Sequence, residues 1–295
     1  MTETDRVDIR HLTASFIGSG TMAEAMIKGL LRQELLSADH IVASGPRPER
    51  GAELEQRYGV RVTTDNRQAA AEADLLVLSV KPQVAPQVLL ELQDVVQPGT
   101  LLLSIVAGIP TNAIARGLGV DAVVRAMPNT PAQIGMGMTV WTATAGVTDE
   151  QRAAARTVLA ALGEEIYSAE EGDLDRATAL SGTGPAYVFL IMEALVDAGV
   201  HLGFSRRVSE RLVLQTIRGS VDYAMQSGRH LATLRNQVTS PGGTSAAALY
   251  QLEKGMLRTV LSRAIWAAYQ RSITLGEGKR SEIAENGGGS PATGT

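Results

Sequence analysis

Residues 16–23 read Phe-Ile-Gly-Ser-Gly-Thr-Met-Ala, and no other stretch limits the fold of this chain so tightly. The octapeptide fits G-x-G-x-x-A. Before it, Leu12 to Ile17 is apolar and strand-like. After it, Met22, Met26, Ile27, Leu30 and Leu31 recur at helical spacing between Thr21 and Arg32. A strand, a glycine turn and a helix in that order open a dinucleotide-binding fold. Gly18 permits the tight turn, Gly20 lets the backbone approach a pyrophosphate, and Ala23 allows close helix–strand packing. The helix N-terminus favours the negative charge. The plainer alternative is a small-residue turn packed against a sheet.

The alternation continues. His40 to Ser44 is a short second strand and Arg47 to Tyr58 a polar helix. Leu75 to Val80, Leu101 to Val106 and Ala122 to Met127 are continuous apolar runs, as buried parallel strands require. Met138 to Thr142 and Glu165 to Tyr167 read as later strands nearer an edge. This predicts an α/β N-terminal domain, a Rossmann-type doubly wound parallel sheet over residues 1–172. Beyond Gly172 only long helical patterns follow: Tyr187 to Leu202 (with Val188, Ile191, Leu195 and Val196), Arg206 to Met225, and Met256 to Ile273. Several are apolar on more than one face, which asks for burial on several sides. A small helical domain has few neighbours to offer, so a second subunit is expected to supply them. The reading is an all-α C-terminal dimerisation domain over residues 173–278. Residues 279–295, rich in glycine, read as a flexible tail.

Composition removes other classes. A net charge of -4 argues against nucleic-acid binding. The chain has no cysteine, which excludes disulfides, thiolate nucleophiles and cysteine-ligated metal. His11, His40, His201 and His230 are scattered without ligand spacing, so no metal is expected. The charged N-terminus does not read as a signal peptide, and no stretch reads as a membrane span. The expectation is a cytoplasmic protein.

The choice of dinucleotide rests on the second strand. NAD enzymes usually place Asp or Glu at its end. Here the end reads Ala43-Ser44-Gly45-Pro46-Arg47, without a carboxylate, and Arg47 can reach a 2′-phosphate or stay solvated. NADPH is the expected donor, with NADH as the second. Val80-Lys81-Pro82-Gln83 follows another strand at the rim where ligands bind. Ser104-Ile105-Val106-Ala107-Gly108 ends the next in small residues that allow a nicotinamide to lie close. Met127-Pro128-Asn129-Thr130-Pro131 reads as a rigid loop beside the site.

Val238 to Leu249 reads VTSPGGTSAAAL. Ser240 suits a helix N-cap and Pro241 the first helical position. Two glycines in a first turn weaken a helix by about 1 kcal/mol each relative to alanine. A small anion at the bare amides would explain Gly242 and Gly243. Ser181-Gly182-Thr183-Gly184-Pro185 reads as a break between helices, with Pro185 in the new first turn. Tyr187, Trp141 and Trp266 read as core or interface residues.

FIGSGTMAEAMIKGL, VKPQ, MPNTPA, SGTGPAYVF and VTSPGGTSAAALYQLEKG occur in that order. Together they resemble the pyrroline-5-carboxylate reductases, from about Thr13 to Leu275. The resemblance implies reduction of the cyclic imine 1-pyrroline-5-carboxylate to L-proline, the last step of proline biosynthesis, by a nicotinamide cofactor. It also implies helical domains that interlock into homodimers, with a decameric ring as the larger assembly. By motif match, Ile17, Gly18, Ser19, Gly20, Thr21 and Met22 would hold the pyrophosphate. Gly45, Pro46 and Arg47 would lie near the adenosine ribose. Asn66, with Ser79, Val80, Lys81 and Pro82 and with Ile105, Val106 and Ala107, would line the rest of the groove. Ser240, Gly243 and Thr244 would bind the substrate carboxylate. Ser245 would be the catalytic hydroxyl beside the imine nitrogen. The family pattern usually has threonine there, so a methyl that restricts the rotamer is missing. Gln237 stands where some members have asparagine.

Two other readings stay open at this level. A hydroxy-acid dehydrogenase would need a catalytic lysine on a C-terminal helix, where Lys254 is the candidate. A non-catalytic NADPH sensor would need no imine pocket.

Overall fold

Four residues buried on both faces suffice for a central parallel strand, and four of the strands here are that short. The computed structural model describes residues 7–286, with side chains to 275. In chain order the first elements are β1 Ala14–Ile17, α1 Thr21–Arg32, β2 Ile41–Ser44, α2 Pro48–Tyr58, β3 Arg61–Thr63, α3 Asn66–Ala71 and β4 Leu75–Leu78. Then come α4 Ala85–Leu92, β5 Leu101–Ser104, α5 Thr111–Leu118, β6 Val123–Met127, β7 Gly137–Ala143, α6 Asp149–Ala160 and β8 Gly163–Tyr167. They build one eight-stranded sheet in the order β3-β2-β1-β4-β5-β6-β7-β8. Successive residues of β1 serve opposite faces. Phe16 packs with Ile27, Leu30 and Trp141 on one side. Ile17 packs with Leu76, Leu89 and Ile114 on the other. The order reverses between β1 and β4, which places the ligand crevice at their carboxyl ends.

The Rossmann-type sheet is as expected, with corrections. β7 runs antiparallel to β6. Their connection, residues 128–136, is shorter than the roughly dozen residues of a parallel crossover. β3, which the sequence reading does not delimit, pairs with β2 through Val42–Arg61 to Ser44–Thr63. β4 and β5 stop at Leu78 and Ser104, short of the apolar runs that announce them, because the chain leaves the sheet to form the rim loops.

After β8 the chain is helical: α7 Asp173–Ala177, α8 Gly184–His201, α9 Arg206–Ser227, α10 Leu231–Gln237, α11 Thr244–Lys254 and α12 Leu257–Asn286. The expected break falls at a π turn, Thr178–Gly182, whose end is closed by Thr183 donating from both N and Oγ1 to the Thr178 carbonyl at 2.8 Å. Pro185 is then the second residue of α8. The chain divides into two compact units. One takes the described residues up to Thr183 and those from Ala268 onward, and the other is Gly184–Ala267. This outline differs from the 172/173 boundary drawn from sequence texture, since α7 and the end of α12 go with the sheet. Asp175 accepts from Ser272 at 2.7 Å within that unit. α12 continues to Asn286, past the residue where the tail was placed. The rest of that tail, 287–295, lies outside the described residues.

The helices leave much apolar surface open. Phe189 is 62% exposed, Leu190 66% and Trp266 61%, whereas Trp141 is buried. The helical run Asp173–His201 contains a window of mean hydropathy 1.4, only 11% of it buried. By length and composition alone the run is apolar enough to cross a membrane, although the π turn at Thr178–Gly182 interrupts it. Open apolar area of this extent also marks a protein interface.

Candidate active site

Four strand ends, those of β2, β1, β4 and β5, are tied together at the rim by three bonds. Gly18 N donates to Ser44 O at 2.9 Å, Ser79 N to Ile17 O at 2.9 Å, and Ile105 N to Leu78 O at 3.0 Å. Ser79 Oγ adds a 2.6 Å bond to the Gly18 carbonyl. Gly18 has φ +104°, and a Cβ there would sit 2.7 Å from Ser79 O, so only glycine closes this turn. α1 starts immediately afterwards with Gly20 as N-cap and no side chain capping it. A Cβ on Gly20 would meet nothing within 4 Å. An uncapped helix start facing open space fits a pyrophosphate.

A cleft of about 690 Å³ opens beside this turn. Of the residues singled out from sequence, it brings together Gly20, Thr21, Met22, Arg47, Ser79, Val80, Lys81, Pro82, Ile105 and Ala107. The others lie behind or below it. Ile17, Ser19, Gly45 and Val106 are buried, and Gly18 forms the turn. Pro46 and Arg47 are exposed in the short loop that leads from β2 to α2. Asn66 opens α3, accepts from Ser44 Oγ at 2.7 Å and donates to Glu91 at 3.0 Å. Met127 and Pro128 form a further wall, as the stiff loop predicts. Another hollow, of about 610 Å³, lies by Asp74, Thr100 and Leu101 at the amino ends of β4 and β5. That is the end of the sheet away from the ligand rim, and no candidate residue lines it.

Glu24 and Arg50 also line the cleft, and the sequence reading missed both. Arg50, its side chain only 16% exposed, pairs with Glu24 and with Glu53, and its Nε donates to the Ser19 carbonyl at 3.0 Å. Burial pushes the Glu24 carboxyl up, but hydrogen bonds from Arg50, Tyr58 and Arg57 outweigh it and hold the group below its usual range. A second arginine in the first turn of α2 is a visible signal, but its partners on α1 and the phosphate turn are far away in sequence. Arg47, in contrast, is exposed, and its side chain makes no ion pair among the described residues.

The candidate substrate residues gather on one segment of the helical unit. Gln237 ends α10. Pro241 and Gly242 then take the middle of a turn closed by Gly243 N donating to Ser240 O at 3.1 Å. Gly242 has φ +68°, the conformation that a proline–glycine turn demands. α11 therefore begins at Thr244, with Gly243 as N-cap, and not at Pro241 with Ser240 as cap. The glycines answer to this turn: a Cβ on Gly243 would lie 2.5 Å from Ser240 Oγ. No side chain caps α11, and its first backbone bond is Ala247 N to Gly243 O at 3.2 Å. The open amides are thus those of Thr244, Ser245 and Ala246. Ser240 and Thr244 are exposed and Ser245 half-buried.

Both features can be set against known proteins. The family model "Pyrroline-5-carboxylate reductase dimerisation" matches residues 171–275, and "NADP oxidoreductase coenzyme F420-dependent" matches 13–108. A pyrroline-5-carboxylate reductase of Synechocystis sp. is 40% identical over 261 residues, 88% of this chain and 97% of that protein. This chain belongs to the pyrroline-5-carboxylate reductase family. A pyrroline-5-carboxylate reductase of Pseudomonas aeruginosa is 41% identical over 264 residues, 89% of this chain and 96% of its own. The solved reductase of Coxiella burnetii has a TM-score of 0.82 at 36% identity, covering 90% of this chain and 98% of its own. That of Plasmodium falciparum, solved with NADP bound, has a TM-score of 0.83 at 31% identity, covering 90% and 99%. NADP chemistry in this reductase family agrees with a β2 end that carries no carboxylate.

Proposed function

We propose that this chain is a pyrroline-5-carboxylate reductase that reduces the C=N bond of 1-pyrroline-5-carboxylate to L-proline, with NADPH as donor and NADH as the lesser one. One observation carries the reading: a chain matched over 88% of its length by such reductases has both an open phosphate turn and an uncapped α11.

The cofactor supplies the hydride. The chain's own residues bind and orient. Ile17 to Met22 hold the pyrophosphate, and Arg47, with Gly45 and Pro46, takes the 2′-phosphate end. Asn66, Ser79 to Pro82 and Ile105 to Ala107 shape the rest of the groove. The open amides of Thr244 and Ser245, set by the turn at Gly243 and with Ser240 alongside, take the substrate carboxylate, and Gln237 flanks them. Charge-assisted hydrogen bonds are worth roughly 1.5–3 kcal/mol each, so a few anchor a ligand this small. The anchored ring then presents its imine carbon in one orientation. Ser245 hydrogen-bonds the imine nitrogen as an orienting donor or relay. The proton comes from water or from iminium already formed in solution.

The apolar faces of α8, α9 and α12 serve a homodimer, with a decamer as the larger assembly and the cytoplasm as location. The dimerisation model over 171–275 supports the first of these. The test of activity is loss of NADPH absorbance with the imine, run beside a panel of hydroxy acids. Turnover only with hydroxy acids would move the chemistry to Lys254, and cofactor binding without any turnover would leave a sensor.

A further inference from the structure

We infer that Arg50 is a positioning residue for the cofactor: by holding the Ser19 carbonyl it aims the Gly20 amide into the nucleotide cleft. The inference rests on the NADP reading of that cleft.

The argument is one of peptide geometry. In a planar trans peptide the C=O of one residue and the N–H of the next point in opposite directions. Arg50 Nε fixes the Ser19 carbonyl at 3.0 Å. The N–H of Gly20 is thereby turned away from Arg50. Ser79 Oγ does the same for the preceding peptide by binding the Gly18 carbonyl at 2.6 Å. Two side chains thus fix two carbonyls of the loop, and with them the direction of the amides that follow each.

Arg50 is committed to this task. Its terminal nitrogens go to Glu24 and, at 2.9 Å, to Glu53. Glu24 is itself held by Arg57 and by Tyr58 OH at 2.8 Å. A guanidinium engaged on three sides is a brace and not a reader of the 2′-phosphate. Arg47, exposed on the same cleft, is left for that role. The two arginines therefore differ in what they affect. Arg47 separates NADP from NAD, and Arg50 serves both alike.

Calorimetric titration of the full-length apoprotein distinguishes them. The probes are NADP+, NAD+ and 2′-AMP, which has the 2′-phosphate but no pyrophosphate. Wild-type binding of NADP+ checks the underlying reading by itself. Arg50→Gln is expected to weaken NADP+ and NAD+ by the same factor, tenfold or more, and to leave 2′-AMP unchanged. Arg57→Gln, which removes another Glu24 partner but spares the Ser19 bond, is expected to change none of the three. If Arg50→Gln does not fold, Arg50→Lys keeps the charge beside Glu24 without the guanidinium fork, and a several-fold loss in the same pattern is expected. Loss confined to NADP+ and 2′-AMP would make Arg50 a phosphate ligand and overturn the inference. So would equal loss in Arg57→Gln, which would assign the effect to charge balance at Glu24, or no loss at all.

Discussion

Asn129 Nδ2 donates to the Ser181 carbonyl at 3.1 Å and so joins the loop after β6 to the π turn before α8. Its Oδ1 accepts from Met138 N at 2.9 Å, closing the same loop onto β7. The contact is tight: a Cβ on Gly182 would lie 3.0 Å from Met127 Cε. Asn129→Ala strands a part-buried acceptor and donor, and a loss of roughly 2 kcal/mol is expected in urea unfolding. Asn129→Asp keeps the acceptor and is expected to lose less.

Arg125 is 5% exposed in the middle of β6. It meets Glu171 at 3.0 Å and Asp175 at 3.8 Å. Glu171 also receives Thr111 N at 2.8 Å and Thr111 Oγ1 at 2.9 Å, at the start of α5. Removing one partner leaves a charge without its counter-ion. Arg125→Met is expected to destabilise by about 3 kcal/mol. Adding Glu171→Leu is expected to recover part of that, and a double-mutant cycle measures the coupling.

Glu24 predicts a direction for acid sensitivity. Its folded carboxyl titrates below the model-compound value of 4.5. Between the folded and unfolded pKa values the unfolded state binds more protons, so stability rises with pH there. The contribution is complete above about pH 4.5 and is lost as pH falls through the lowered folded value. Glu24→Gln is expected to flatten the stability profile in that acid window. Parallel profiles for the two proteins would refute the assignment.

Ser245 is assigned a role at the imine and none at the dinucleotide. Ser245→Ala is expected to lose about 10- to 100-fold in kcat/KM, the worth of one hydrogen bond to a charged group. Cofactor affinity is expected to hold. Ser245→Thr restores a rotamer-restricting methyl and is expected to match or exceed the parent rate. Unchanged kinetics in the alanine variant would remove this hydroxyl from the chemistry.

Arg47→Ala is expected to raise KM for NADPH tenfold or more and to leave NADH nearly unaffected. The comparison of the two donors is the measurement that counts. Equal weakening would place the 2′-phosphate elsewhere.

Much of the sheet was legible because its strands are apolar runs and its first turn obeys a strict glycine rule. α1 falls on Thr21–Arg32, as its spacing predicts. The antiparallel β7 was not legible, since alternation alone does not record strand direction. The start of α11 was misread because Ser-Pro-Gly-Gly suits both a first helical turn and a proline–glycine turn. Only the φ of Gly242, +68°, separates the two.

Local pattern by itself determined that the chain pairs a nucleotide-type α/β unit with a helical one, and which loops carry glycine at a rim. Those properties depend on residues a few positions apart. Tertiary structure decided that Arg50 reaches Ser19 and Glu24, that Asn129 reaches Ser181, and that Arg125 meets Glu171. Such partners lie tens of residues apart, and a polar side chain carries no local mark of the distant group that will satisfy it.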